Sequence, residues 1–526
     1  MPQLELTQLN IVLSVTGAFL ILYGIISSKI KYSLYLGEAL PATVIGIILG
    51  PTASKFVDSA SWGSPQEPDT QNEITYGVSR VVIGIQLAIV GFQLPAKYQL
   101  IRWKELVFGA MPVLTIMWLS TSVCIYILIP HVSWLGALVI SSCVACNDSV
   151  LSQAIAKGPF ADKYVPKRLR DSISSEAGAN DLFQFPMLML ATFLIRHAAA
   201  PGSGEANTAG TVSIIEGADA VGRIGGGVGV ALKMWFLETW LYTVLLSIAY
   251  GAVVGYMTCL AIKFALRRKW IDSENLFLFP TAIALFVLGT AGAIDTEDLL
   301  ACFAAGNALN WNGIYQEECD NKHDGVNPTI CSLLNYGAFL YIGTVMPWHE
   351  FNDPKTGITY GRLFGLGFLI LLFRRIPANM LTYKLLPCIS AIFFVEHTRH
   401  LFPELGEGDE EESNLIAALG PTVYWLVFFS IVVHGISVPI FDFIYKQLGV
   451  TTIQDEHSDT LPFARTPYIP RYSVSLGSQE TIVMVEEKQA KDLSWESVSD
   501  SDRKSFCDDK KSLDVSDVKV EMKEWV

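Results

Sequence analysis

The sequence predicts an all-α polytopic membrane protein, and three observations carry that expectation. Of 526 residues 51% are hydrophobic and only 17% are charged. The mean hydropathy of +0.38 is high for a soluble chain of this length. Apolar stretches long enough to cross a hydrocarbon core of ~30 Å recur along the chain. They lie near residues 8–27, 34–51, 77–95, 105–129, 132–156, 172–196, 237–262, 276–294, 298–315, 332–348, 361–387 and 418–446. The first has no basic segment before it and no small-residue cleavage site, so it reads as a retained helix rather than a signal peptide.

Lysine and arginine placement sets the expected orientation. Lys29 and Lys31 lie between the first two stretches, and Lys97, Arg102 and Lys104 follow the third. Lys157, Lys163, Lys167, Arg168 and Arg170 follow the fifth, and Lys263, Arg267, Arg268 and Lys269 the seventh. Alternate loops are poor in basic residues, so the basic loops are expected in the cytoplasm and the amino terminus outside. One loop fits badly: 316–331 should be inside, yet it holds Glu317, Glu318, Asp320 and Asp324 against Lys322.

Residues 1–446 are expected to form the membrane domain, and 447–526 a disordered cytoplasmic regulatory tail of Ser, Asp, Glu and Lys that buries too little apolar surface to order itself. Ser497, Ser499 and Ser501 stand among Glu496, Asp500 and Asp502, which makes the tail either an acid-directed kinase target or an unmodified solvating segment. The net charge of −14 owes much to this tail and to the acidic run Glu407–Glu412. No nucleic-acid signature and no cofactor motif is present. The nine cysteines are scattered, mostly within apolar stretches. Cys143 and Cys146 have CxxC spacing without a second pair, and Cys319 and Cys331 share one loop and would bridge only if that loop were outside.

The chemistry lies in two Asn-Asp pairs inside apolar stretches, Asn147-Asp148 and Asn180-Asp181. A carboxylate at bilayer depth costs roughly 2.5–3.5 kcal/mol on insertion scales and usually faces a partner, a cavity or an ion path. Small residues surround both pairs (SSCVACNDSV and SSEAGAND), which lets helices approach closely. Gly178 and Pro186 flank Asp181 and are expected to loosen the helix, freeing carbonyls as ligands. Oxygen ligands suit hard cations, and one carboxylate can hold either a proton or a sodium-sized cation. A purely structural role, each Asp pairing with a nearby Asn, Ser or Arg, is the alternative. An intramembrane aspartyl protease would need Gly-x-Gly-Asp, which is absent, so no enzyme is expected.

Motifs in register extend this reading. LYLGEALPATVIGIILGP (34–51), RVVIGIQLAIVGFQLPAKY (80–98), NDSVLSQAIAKGPFADKYVPKRLRDSISSEAGAND (147–181), TEDLLACFAAGNALNWN (296–312), YIGTVMPW (341–348), FRRIP (373–377) and IVVHGISVPIF (431–441) resemble, in order, the fungal plasma-membrane sodium/proton antiporters of the cation/proton antiporter superfamily. The resemblance covers about residues 10–445. It implies about 12–13 transmembrane helices in two inverted repeats, with discontinuous core helices and a dimerising scaffold. Asp181 matches the family's ion-binding aspartate, Asn180 its helix-stabilising asparagine, and Asp148 the aspartate of its TDP motif, with Asn147 for threonine and Ser149 for proline. Glu176 matches an acidic residue that pairs with an arginine, here Arg374 or Arg375.

The implied activity is exchange of cytosolic Na⁺ (or Li⁺ or K⁺) for external H⁺ at the plasma membrane. Asn-Asp in the sixth segment implies electroneutrality. A homodimer in membrane lipid is implied, with pH homeostasis and salt tolerance as its physiology. There are departures. Gln93 stands at a glutamate position, Asn312 at an aspartate, and Glu297-Asp298 replaces a double aspartate. After Cys388 the chain passes through Ile389-Ser390 straight to AIFFVEHTRHLFP, about twenty residues short of the family pattern. Counted without that stretch, twelve crossings would leave the tail outside, and the remnant ISAIFFV is too short to span. A mis-spliced or mispredicted form accounts for this. The alternative is a transport-inactive homologue acting as sensor or scaffold.

Overall fold

The computed structural model describes residues 8–33, 36–59, 62, 70–104, 111–145, 164–166, 170–171, 174–175, 178, 181–197, 223–374, 389–449, 473–475 and 482–484. The helices are α1 (Gln8–Ser28), α2 (Ala39–Leu49), α3 (Thr70–Gln93), α4 (Tyr98–Lys104), α5 (Met111–Leu128), α6 (Trp134–Ala145), α7 (Asp181–His197), α8 (Gly227–Met234), α9 (Leu246–Arg267), α10 (Ser273–Ala293), α11 (Asp298–Leu309), α12 (Ile314–Asn321), α13 (Val326–Val345), α14 (Tyr360–Leu369), α15 (Ile389–Arg399) and α16 (Glu410–Gln447). A π-helical stretch, Trp235–Leu245, fuses α8 to α9, and another, Ile370–Arg374, extends α14. The chain divides into two units, Met1–Asp455 and Glu456–Val526. In the second, β1 (Ser473–Ser475) pairs antiparallel with β2 (Ile482–Met484), and most of the expected tail lies outside the described residues.

Six helices of the described residues are long and apolar enough to cross a membrane: Asn10–Ser27, Thr70–Gln93, Met111–Leu128, Gly227–Arg267, Ser273–Ala293 and Glu410–Gln447. Shorter apolar helices occupy five of the other expected stretches, and Val326–Val345 covers most of 332–348. The protein is therefore an all-α, multi-pass membrane protein.

Three boundaries differ from the sequence expectation, each for a physical reason. The seventh crossing starts at Gly227, not 237, because Lys233, which interrupts the apolar run, is an exposed residue inside the helix rather than in a loop. The last helix starts at Glu410, not 418. The acidic run is its first turn: Asp409 accepts from the Glu412 N–H while the Glu412 carboxylate accepts from the Asp409 N–H, a reciprocal cap that favours negative charge at a helix start. The stretch 298–315 is broken, since α11 ends at Leu309 and Gly313, at φ +74°, turns the chain into α12.

Backbone-to-backbone packing locks the interior. α11 is sandwiched between α3 and α9. A Cβ on Gly251 or Gly255 would fall on the Ala301 or Ala305 carbonyl, and one on Gly306 on the Ala88 carbonyl. α2 and α13 meet the same way, Gly46 against the Leu340 carbonyl and Gly343 against Thr43. Small residues bring helix axes close where lipid offers no hydrophobic drive for association.

The ends of α14–α16 are anchored on neighbouring helices. Arg362, at the start of α14, donates to the Leu128 carbonyl (3.5 Å), and Arg223 pairs with Asp409 and Glu411 at the start of α16. Residues 400–409 join the end of α15 directly to α16, so both lie on the side of the 130–133 loop, where Leu415 also approaches Gly136. At the other end of α16, Tyr445 meets Tyr164 of the basic loop edge-on, with centroids 5.2 Å apart. The start of α14, the end of α15 and the start of α16 thus share one side, and the end of α16 lies beside Tyr164. Residues 375–388, where the short stretch after α14 falls, lie outside the described residues.

Candidate ion-translocation site

Asp181 is the first residue of α7. Three positions on, the Gln184 side-chain amide donates to the carbonyls of Ser142 (2.9 Å) and Cys143 (3.1 Å) at the end of α6. Those carbonyls are among the last described in α6, so Gln184 ties one helix to the next. Gln184 is 2% exposed. The hydroxyls of Ser141 and Ser142 turn back to Leu138 (3.0 Å) and Val139 (2.6 Å). α7 runs unbroken past Pro186, so the loosening expected there does not occur in the helix. The Pro186 carbonyl accepts instead from the Trp235 indole at 2.7 Å. Gly178 lies against the Phe303 ring of α11, with no room for a Cβ.

α15 closes this region. Its Cys143–Thr398 contact (3.8 Å) touches α6, its His397 ring lies 5.6 Å from Phe185 of α7, and Phe393 stacks on Tyr76 of α3 at 5.1 Å. The segment too short to span is thus a buried wedge, with Ala391 through Glu396 at most 2% exposed. Glu396 accepts from Tyr424 (3.3 Å) and pairs with Arg399 (3.6 Å).

Of the residues expected to support the ion site, Asp148, Asn147, Asn180, Glu176 and Arg375 lie outside the described residues, and Asp181 and Arg374 are described in backbone only. Arg374 ends the π-helical extension of α14. Asp298 opens α11 and is held by Arg80 of α3, whose Nη2 also donates to the Leu288 carbonyl at 2.9 Å. Glu297 beside it is 5% exposed. Gln93 is the last residue of α3, and its carbonyl accepts from Gln316 at 3.3 Å. Gln93 and Asp298 therefore sit at opposite ends of the α3–α11 crossing, and the structure does not bring them together. Asn312, the other departure, points its amide at the Cys259 sulfur (3.9 Å).

The awkward acidic loop has a place. Gln93, Pro95 and Asp171 join Gly313, Gln316, Glu317, Asp320 and Asn321 around a recess of about 400 Å³. Beside it in α12, burial and Asp324 push the Cys319 thiol up to about 12, and burial raises the Tyr315 phenol. No disulfide joins Cys319 and Cys331. Among the described residues no cluster of His, Cys, Asp or Glu could hold a metal ion.

The family model for the sodium/hydrogen exchanger transmembrane region matches residues 15–442. The chain belongs to the sodium/hydrogen exchanger family. Curated fungal relatives agree with this membership. The chain is 30% identical over 471 residues to a Saccharomyces cerevisiae Na⁺/H⁺ antiporter, covering 83% of this chain and 44% of the relative. It is 29% identical to Na⁺/H⁺ antiporter 2 of Zygosaccharomyces rouxii (88% and 56% covered), and 28% identical to a Schizosaccharomyces pombe Na⁺/H⁺ antiporter (83% and 91%). The chain thus spans about half the length of the first two. Its fold matches the sodium proton antiporter MjNhaP1 of Methanocaldococcus jannaschii, with a TM-score of 0.50, 12% identity, and coverage of 82% of this chain and 100% of that one.

Two site-forming groups escaped the sequence reading. Gln184 carried no signal beyond its spacing from Asp181. Glu38 did, as a carboxylate inside an apolar stretch, the same signal that singled out Asp148 and Asp181.

Proposed function

We propose that this exchanger is a secondary active antiporter that moves cytosolic Na⁺, and Li⁺ or K⁺ in its place, against external H⁺. Asp181 is its shared carboxylate and Asp148 the partner site. The carrying observation is the Gln184 amide seated on the Ser142 and Cys143 carbonyls. It fastens the beginning of α7 to the end of α6, the two points between which both Asn-Asp pairs lie in sequence. A carboxylate at the start of a buried helix is favoured when ionised by the helix dipole and disfavoured by low dielectric. A proton and a monovalent cation then compete for it. One carboxylate of this kind per cycle supports electroneutral exchange. Asn147, Asn180, Glu176, Arg374, Arg375, Gln93, Glu297 and Asp298 are assigned supporting roles. The membrane domain is residues 1–446, working as a homodimer in the plasma membrane, and 447–526 is its cytoplasmic regulatory tail and the substrate of any kinase.

The test is proton flux in sealed vesicles driven by Na⁺, Li⁺ or K⁺ pulses, comparing this chain with Asp181→Asn. Flux that is present in the first and absent in the second, at equal membrane insertion, is the expected outcome. Equal flux in both overturns the assignment of Asp181. No flux in either identifies a transport-inactive homologue, the reading raised by the short stretch after Cys388.

A further inference from the structure

Glu38 stands just before α2 at 12% side-chain exposure, far along the chain from either Asn-Asp pair. Three donors from one face of α13 converge on it. Ser332 Oγ (3.1 Å) and Tyr336 OH (3.2 Å) donate to Oε1, and Asn335 Nδ2 (3.3 Å) donates to Oε2. The Lys31 ammonium, from the π-helical turn after α1, pairs with the same Oε1. The array continues inward, since Asn335 Oδ1 accepts from Gln86 Nε2 of α3 at 2.8 Å. Gln86 is 4% exposed, and its Oε1 has no partner.

The chemistry of this array is that of a hard-cation site with its occupant already in place. A carboxylate and two hydroxyls are ligand types that suit alkali cations, and the Asn335 amide, donating to Oε2, holds the carboxylate in place. Each hydroxyl that donates to Glu38 keeps lone pairs for a cation beside Oε1. A carboxylate this buried requires a positive charge or a proton nearby, and Lys31 supplies it. Lys31 is a compact charge on a flexible stem, 32% exposed, so it can leave to water without crossing the protein.

We propose that Glu38, Ser332 and Tyr336, with the carboxylate oriented by Asn335, form a second monovalent-cation site, at which Lys31 is a tethered competitor for Na⁺, Li⁺ or K⁺. The site is separate from Asp181, and the proposal stands whether or not Asp181 carries exchange.

The experiment uses the full chain purified in detergent and carrying Asp181→Asn, which removes the contribution of the transport site. Thermal melting is measured in NaCl, LiCl or KCl against choline chloride at matched ionic strength. With Lys31→Gln added, alkali cations should raise the melting temperature, with half-saturation at least about tenfold lower than with Lys31 present. Adding Glu38→Gln should abolish that rise. Identical melting in alkali and choline salts, or a rise that survives Glu38→Gln, overturns the proposal. If Lys31→Gln fails to fold, amine labelling of Lys31 in the Asp181→Asn protein gives the second readout. Alkali salts should speed that labelling relative to choline, and an unchanged rate overturns the site.

Discussion

The α3–α9–α11 stack and the α6–α7–α15 junction are both buried, yet they are joined in opposite ways. In the stack, glycines let backbones touch along the seam, with the Arg80–Asp298 pair at its start. In the junction, an amide, a thiol, hydroxyls and a histidine ring make the contacts. Backbone contact through glycine has one geometry and no rotamers to exchange, whereas side-chain polar contacts can be re-paired. The first suits a fixed frame and the second an element that changes partners, which an alternating-access cycle requires.

The comparison breaks most sharply at the frame. Gly306→Val puts branched carbons onto the Ala88 backbone, which cannot yield as a flexible side chain would. A loss of about 3 kcal/mol is expected, read as a fall in melting temperature and membrane yield with every function lost together. At the junction, Gln184→Leu keeps volume but strips the donors from the Ser142 and Cys143 carbonyls. A loss of about 1–3 kcal/mol is expected, with flux falling more than melting temperature. If melting falls and flux per inserted molecule does not, the junction is only another piece of frame.

A smaller effect is expected at the recess between Asp171 and α12. Gln93→Glu adds a carboxylate to a wall that already holds Asp171, Glu317 and Asp320. Exposed charge pairs contribute about 0.2–1 kcal/mol, so the apparent Na⁺ affinity in flux should improve about two- to fivefold at low salt and lose that gain at high salt. The smallest effect concerns Cys319, whose buried thiol stays neutral far above neutral pH. Maleimide should modify half-buried Cys331 at pH 7 and spare Cys319, with Cys319 labelling rising only as the pH approaches about 12. Equal labelling at pH 7 would show that α12 opens.

The sequence made the frame legible through hydropathy, since burial in lipid and in protein select the same apolar residues. It misplaced the starts of the seventh and last crossings because a lone lysine and an acidic run look like loop in a hydropathy profile. Both are ordinary helix residues once the exposure of Lys233 and the capping of Asp409 are seen. For the candidate site the sequence offered one signal, a carboxylate that interrupts an apolar run. It was not legible where an uncharged amide such as Gln184 does its work across a helix pair, because such a bond depends on which helices are neighbours. The partnership of Asp298 with Arg80 is of the same kind, two charges in separate stretches matched only in three dimensions.

A multi-pass chain has something like a reading frame, in which each crossing inverts the side of everything after it. Losing one whole crossing before α15 would leave every later helix intact in sequence and upside down in the bilayer. The capped start of α16 would then face away from Arg223, and Tyr445 away from Tyr164. Both pairs are in place, so α16 is held in a single direction, its capped start on Arg223 and its end on Tyr164.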